Sequence, residues 1–277
     1  MAMHEEGYPG ERPAMEVRDL RFSYGKNEIL KGVSLKIPTG KITTLLGANG
    51  CGKTTLFNLM TKNLLPDDGY IFLHGKNIKN LTLKEFAHEV SIVHQNNTAA
   101  ADITVEQLVS FGRTPYRKMM QSMQDEDEQL ISRAMEVTDI LPFRDREVTR
   151  LSGGQRQRVW IAMALAQNTK ILFLDEPTTY LDIRYQIEIL ELVRKLNREY
   201  GITIIMVLHD INQAIAYSDR VIGLKNGITC VDGSPKEAIT EETIRELFGI
   251  GLNVVEFGGR TVVLSAERKV NCEETVL

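Results

Sequence analysis

The sequence predicts an α/β fold of parallel strands with a helical lobe inserted into it. Three observations lead there. Residues 47–54 read Gly-Ala-Asn-Gly-Cys-Gly-Lys-Thr directly after the apolar run Ile42 to Leu46, which is the G-x-x-x-x-G-K-[ST] phosphate loop in its strand–loop–helix setting. Apolar runs at Val90 to Val93, Ile171 to Leu174 and Ile202 to Leu208 alternate with helical patterns, as in a buried parallel sheet that binds its ligand at the carboxyl ends of its strands. From about 99 to 150 the alternation stops and only helical patterns remain.

Taken in order, residues 1–14 lack an apolar core and predict a short mobile tail rather than a signal peptide. Val17 to Phe22, Val33 to Ile37 and Ile42 to Leu46 read as strands, with Pro38-Thr39-Gly40 as the turn between the last two. A helix runs from Thr54 to Thr61, and Tyr70 to Leu73 is a strand closed by His74-Gly75. In the lobe, Val105 to Phe111 and Asp127 to Ile140 are helical, and the acidic run Asp125-Glu126-Asp127-Glu128 reads as a solvated helix start. Arg156 to Gln167 forms a helix with the apolar face Val159, Ala162, Met163 and Ala166. Tyr185 to Glu199 is a further helix, and Val221 to Leu224 with Gly227-Ile228 suggests a late hairpin. The expected division is a tail at 1–14, a core at 15–98 and 151–250, a helical lobe at 99–150, and a small hairpin with a tail at 251–277, around Gly258-Gly259.

Composition narrows the function. The 277 residues are 43% apolar and 25% charged with a net charge of −4, ordinary for a globular chain. Without a long basic tract, no nucleic-acid partner is expected. No apolar run approaches the roughly 18 residues of a membrane span. Cys51, Cys230 and Cys272 are scattered without metal-ligand spacing, which suits a reducing compartment. Cys51 reads as a small residue filling the phosphate loop, with a redox switch as the alternative.

The glycines of residues 47–54 let the backbone curl and turn its N–H groups inward, and the following helix adds the positive end of its dipole. Asn49, Gly50, Cys51, Gly52, Lys53, Thr54 and Thr55 are the predicted phosphate contacts. Lys53 would reach the β- and γ-phosphates and the Thr54 hydroxyl would sit on magnesium. Ile171 to Asp175 is an apolar strand ending in a carboxylate, followed by Glu176. Asp175 would hold magnesium and Glu176 would polarise the attacking water; alone, such a run is equally an acidic strand cap. His209 ends the next buried strand, which can lie beside that of Asp175, and an imidazole there can hold the γ-phosphate or the water. Gln95 ends another core strand where the lobe begins; its amide can touch magnesium or the water and report nucleotide state to the lobe, and on local evidence alone it is equally a plain loop residue. Leu151-Ser152-Gly153-Gly154-Gln155 is a glycine-rich loop opening a helix, a second anion site in one chain.

The combination resembles the ATP-binding cassette (ABC) family over residues 15–250. Gly47 to Thr54 resembles its Walker A loop, with Ala48 where proline is common; Ile171 to Glu176 resembles Walker B; and Leu151 to Gln155 matches the signature loop. Thr179-Tyr180-Leu181-Asp182 resembles the D-loop with Thr and Tyr as departures, and Gln95, His209 and Tyr24 match the Q-loop glutamine, the H-loop histidine and the aromatic that stacks on adenine. The resemblance implies a P-loop NTPase with a RecA-like core, an antiparallel β subdomain and an inserted helical subdomain. It also implies ATP and Mg2+ as ligands and a head-to-tail homodimer, in which Ser152, Gly153, Gly154 and Gln155 of one copy cover ATP held by the other.

A single cassette without a membrane span resembles the ATPase subunit of a prokaryotic importer, peripheral on the cytoplasmic face of the membrane. Such a subunit works with polytopic permease subunits and, through them, an extracytoplasmic binding protein. Phe111 to Tyr116, Leu208 to Ala214 and the short C-terminal region resemble the group serving ferric-siderophore, haem and cobalamin uptake, although Thr114 and Tyr116 depart from its usual Gly-Arg-Tyr-Pro-His. Importers of molybdate, tungstate, zinc or manganese use similar ATPases. A soluble cassette ATPase of cofactor assembly and a small-molecule kinase are the readings of other classes, and the kinase would leave the signature loop unexplained. Phe111, Pro115, Tyr116 and Met119 to Met123 are candidates for lining the groove that receives the permease, or for ordinary packing. Arg144, Arg146 and Arg150 read as solvated surface or as contacts to the other subunit's nucleotide.

Overall fold

Burial alternates along the first two strands, β1 (Met15–Tyr24) and β2 (Asn27–Ile37), as expected for strands with one covered face. The computed structural model describes residues 12–117 and 124–264. The two strands pair antiparallel across Gly25-Lys26. Next come β3 (Ile42–Leu46), α1 (Lys53–Met60), β4 (Asp68–Leu73), β5 (Lys76–Asn77), α2 (Leu83–Glu89) and β6 (Val90–Val93). The lobe holds α3 (Val105–Ser110) and α4 (Asp125–Val137). After it come α5 (Gly153–Ala166), β7 (Ile171–Asp175), α6 (Ile183–Tyr200), β8 (Thr203–Val207), α7 (Ile211–Tyr217), β9 (Arg220–Lys225) and β10 (Ile228–Gly233). The described chain closes with α8 (Pro235–Ala238), α9 (Glu241–Phe248), β11 (Asn253–Phe257) and β12 (Arg260–Leu264).

Two main sheets result. One is antiparallel in the order β2-β1-β4-β5; the other runs β10-β9-β3-β8-β7-β6, parallel except for the β10 edge. All residues of β3, β7 and β8 are buried, because helices or the other sheet cover both faces. On one face Leu56, Phe57 and Met60 of α1 fill the space between the sheets against Leu30, Phe173 and Ile205. On the other, Ile189, Leu190 and Val193 of α6 pack on Leu172, Ile204 and Met206. A third core, with Val105, Leu108, Ile131, Met135 and Val159, belongs to the lobe, where α3 and α4 pack against α5.

Several expectations change. Ala14 is fully buried, donates to Ile37 O and accepts from His74 N, so the chain joins the sheet within the expected tail. α4 starts at Asp125 and ends at Val137, with Asp139 at φ 58° beyond it. The acidic run is not wholly solvated, because Asp127 is 8% exposed and its Oδ1 accepts from Arg113 Nε at 2.7 Å. Arg113 also donates to Ala166 O at 3.0 Å, the last carbonyl of α5, where a cation complements the helix dipole. Gly112 permits this approach: a Cβ there would lie 2.1 Å from Met163 O. Tyr116 packs its ring under the Arg113 guanidinium and stacks on His88 of α2. Gly112, Arg113 and Tyr116 therefore join lobe to core, while Phe111 is 49% exposed beside them. Met119 to Met123 lie outside the described residues. Arg144 pairs with Glu106, Arg150 pairs with Glu147 and Arg146 sits over Phe143, all within the lobe.

Candidate active site

The phosphate loop joins β3 to α1. Gly47, Gly50 and Gly52 adopt φ of 145°, 77° and 109°, conformations that other residues resist. A Cβ on Gly47 would lie 2.3 Å from Leu224 O, so the loop is seated on β9. Gly52 is the N-cap of α1 without a side-chain cap, which leaves the first-turn N–H groups for a ligand. Lys53 is 5% exposed, and its Nζ donates to Gly47 O at 2.9 Å and Ala48 O at 3.1 Å. The ammonium is thus held at the centre of the loop. Cys51 is buried, with Sγ 3.9 Å from that ammonium; Asn49 and Thr54 are exposed and Thr55 is buried.

Strand order brings the predicted chemistry together. β6, β7 and β8 are neighbours and parallel, so Gln95, Glu176 and His209 emerge at one edge. Glu176 Oε1 accepts from His209 Nε2 at 2.5 Å, and Oε2 accepts from Gln95 Nε2 at 2.5 Å and Thr179 Oγ1 at 3.0 Å. Its backbone sits at φ 50°, a conformation that costs a non-glycine residue about 1–3 kcal/mol and that clusters at functional sites. The turn aims the carboxylate at both neighbours.

Asp175 is 7% exposed at the end of β7. Burial, and then the adjacent Glu176, push its carboxyl up to about 6 against the pull of His209 and Lys53. The hydroxyl of Thr54, the carboxylate of Asp175 and the amide oxygen of Gln95, whose nitrogen is turned to Glu176, would supply a hard-oxygen donor set. That set fits Mg2+, which takes only one or two protein carboxylates beside phosphate oxygens. The raised pKa also bears on stability. Between the unfolded value of 3.8 and about 6, the folded chain holds a proton that the unfolded chain has released. Asp175 therefore lowers stability as pH rises through that window. In EDTA, Asp175→Asn is expected to melt above the parent chain at pH 8 and level with it below pH 3.8; calorimetry showing equal melting at pH 8 would contradict this.

The glycine-rich loop at 151–155 opens α5, three residues before the expected start. Ser152 is its N-cap in a capping box: Ser152 Oγ accepts from Gln155 N at 3.3 Å and Gln155 Oε1 accepts from Ser152 N at 3.0 Å. Ser152 and Gly153 are exposed, whereas Gly154 is buried. A Cβ on Gly154 would lie 2.5 Å from the Tyr185 ring, so this glycine lets α5 pack on α6. Tyr24, at the end of β1, is 54% exposed and sits edge-on to Phe22 with ring centroids 4.9 Å apart. Sequence reasoning missed Gln186 and Gln213 near Glu176: Gln213 Nε2 donates to Gln186 Oε1 at 2.6 Å, and its own Oε1 accepts from Thr178 Oγ1 at 3.4 Å. No motif marks Gln186, and the run Leu208 to Ala214 contains Gln213 without singling it out.

The profile of the ABC transporter family matches residues 30–179. The chain belongs to that family. This ABC ATPase is 43% identical over 237 residues to the ferric enterobactin transport ATP-binding protein FepC of Escherichia coli (strain K12), covering 86% of this chain and 88% of the relative. It is 42% identical over 242 residues to the iron(3+)-hydroxamate import ATP-binding protein FhuC of Bacillus subtilis (strain 168), covering 87% and 90%. Among solved structures it is similar to an inward-facing metal-chelate type ABC transporter, with TM-score 0.79 at 26% identity over 91% of this chain and 98% of that one. It is also similar to cbiO1 of Clostridium perfringens, part of the ABC transporter complex cbiONQ, with TM-score 0.76 at 33% identity over 86% and 97%. The ABC ATPase fold is thus the expected RecA-like core with a β subdomain and an inserted helical subdomain, and the activity is ATP hydrolysis coupled to transport. No helix among the described residues is long and apolar enough to cross a membrane.

Proposed function

We propose that this ABC ATPase powers uptake of a metal chelate, a ferric siderophore first among the candidates. It works as a head-to-tail homodimer beneath polytopic permease subunits, on the cytoplasmic face of a prokaryotic membrane, with cargo delivered by an extracytoplasmic binding protein. The observation that carries the dimer reading is a pair of exposed helix starts in one chain, α1 with uncapped first-turn N–H groups and α5, capped by Ser152 and Gln155 but with Ser152 and Gly153 facing outward. The siderophore reading is supported by the relatives' names and by Leu208 to Ala214.

In this reading Asn49 to Thr55 hold the triphosphate and Tyr24 stacks on adenine. Lys53 turns from Gly47 O and Ala48 O to the β- and γ-phosphates. Thr54, Asp175 and Gln95 hold Mg2+, which when bound neutralises charge on the phosphate oxygens. Glu176 orients the attacking water and takes its proton. Gln95 and His209, already bonded to that carboxylate, fix its direction. Ser152, Gly153, Gly154 and Gln155 of the other copy close over the γ-phosphate, and the surface around the exposed Phe111 receives the permease.

The test is transport by vesicles carrying the complex purified with its membrane partners. ATP-dependent accumulation of a ferric siderophore, with no accumulation of molybdate, is expected. Accumulation of molybdate, or purification without any polytopic partner, would overturn the reading.

A further inference from the structure

α7 follows His209 after a single residue and is held from three sides. It has seven residues, of which Ala214 is buried and Ile211, Ile215 and Tyr217 lie half-buried on the core. A helix that short has little stability of its own, so its direction depends on its ties. On one side the Asn212 amide meets the C-terminal hairpin: Asn212 Nδ2 donates to Val263 O at 2.9 Å, and Val263 N donates to Asn212 Oδ1 at 2.8 Å. This side chain exchanges both bonds with one residue of β12, as a neighbouring strand would. Val263 is also 4% exposed, which fixes the hairpin's place. On another side Gln213 reaches Gln186 and Thr178, and Gln186 Nε2 donates to Leu181 O at 2.9 Å. At the far end Arg194 Nη2 donates to Ala216 O at 2.8 Å and lies over the Tyr217 ring.

The ties connect opposite neighbours. Gln213 faces the turn that carries Glu176, Thr178 and Leu181, whereas Asn212 faces β12, which no predicted nucleotide contact occupies. Between them, Asp210 caps the first turn by accepting from Gln213 N at 2.9 Å, and His209 precedes it. A tilt of α7 therefore moves His209 relative to Glu176.

We propose that Asn212 is a positioning residue for ATP cleavage, through which the C-terminal hairpin holds α7 and, with it, His209 against Glu176. The inference rests on the role proposed above for His209. The hairpin sets the rate of the chemical step without touching the nucleotide, and ATP binding at the phosphate loop is indifferent to it.

The experiment is steady-state ATP hydrolysis by the full-length chain carrying Asn212→Asp, Asn212→Ala, Lys236→Ala or His209→Ala. Asn212→Asp keeps the shape and the bond from Val263 N but cannot donate to Val263 O, and it carries the test if Asn212→Ala folds poorly. Lys236 is the comparator, since its ion pair with Glu256 (3.1 Å) ties down the other hairpin strand without reaching α7. Asn212→Asp is expected to lose about tenfold in kcat, the size of one net hydrogen bond, and Asn212→Ala at least as much, both with KM for ATP held within about twofold. Lys236→Ala should match the parent, and His209→Ala should be the slowest. Parental kcat in Asn212→Asp, an equal loss in Lys236→Ala, or KM rising in step with the loss would overturn the inference. Full turnover in His209→Ala would overturn the role of His209 and this inference together. Its inactivity beside a fully active Asn212→Asp would overturn this inference alone.

Discussion

Glu176→Gln is expected to stop turnover and leave a stable dimer around intact ATP. Glu176 is the one carboxylate that Gln95, His209 and Thr179 all address, and a strained αL turn aims it. An amide of the same shape keeps most of that packing but cannot take a proton from water. Loss of a general base costs about 10²–10⁴-fold in rate. Lys53, Thr54 and Asp175 are untouched, so ATP still binds and both copies stay closed upon it. Gel filtration with ATP and Mg2+ should show a dimer for the variant, with unhydrolysed ATP recovered from the peak. A monomer under those conditions, or turnover near the parental rate, would count against the role of Glu176.

The largest expected effect on folding lies far from the nucleotide. Arg113→Met should destabilise the chain by about 3–5 kcal/mol, the usual result of stranding one charge of a buried pair. Arg113 and Asp127 side chains are 7% and 11% exposed, and Arg113 also closes the end of α5 at Ala166 O. With the guanidinium gone, the buried Asp127 carboxyl loses its partner and the Ala166 carbonyl loses a donor. Adding Asp127→Leu should restore much of the loss, since a buried pair replaced by apolar groups is often neutral. Urea unfolding of the three chains measures this. A single variant as stable as its parent would show that the pair is solvated in solution.

Legibility followed burial. β3 and β6 match their apolar runs residue for residue and β7 and β8 fall within one residue at each end, because a strand covered on both faces shows as a continuous apolar run. β1 and β2 run longer than expected; at the start of β2, the exposed Asn27, Glu28 and Lys31 mask the apolar pattern. α2 was not foreseen, since only Phe86 in it is buried and its start is written in a capping box, Thr82 with Glu85. The start of α5 lies earlier than its apolar pattern for the related reason that Ser152 and Gln155 read as a polar loop although they cap each other. Within the site, the phosphate loop and the neighbouring strands of Glu176 and His209 were readable, as local spacing and parallel pairing predict them. The partners of α7 were not. Asn212 to Val263 spans 51 residues and depends on where a hairpin lands, which no local pattern encodes.

The central claim is that each catalytic pocket takes its phosphate loop from one copy and its signature loop from the other. Mixing two inactive chains, Lys53→Ala and Ser152→Phe, tests it most directly. A mixed dimer with shared pockets contains one pocket with both an intact Lys53 and an intact Ser152, so ATP turnover should appear on mixing that neither chain shows alone. If both loops served the same bound ATP within one chain, each copy in the mixture would remain defective, and an absence of turnover despite confirmed mixed dimers would contradict the account.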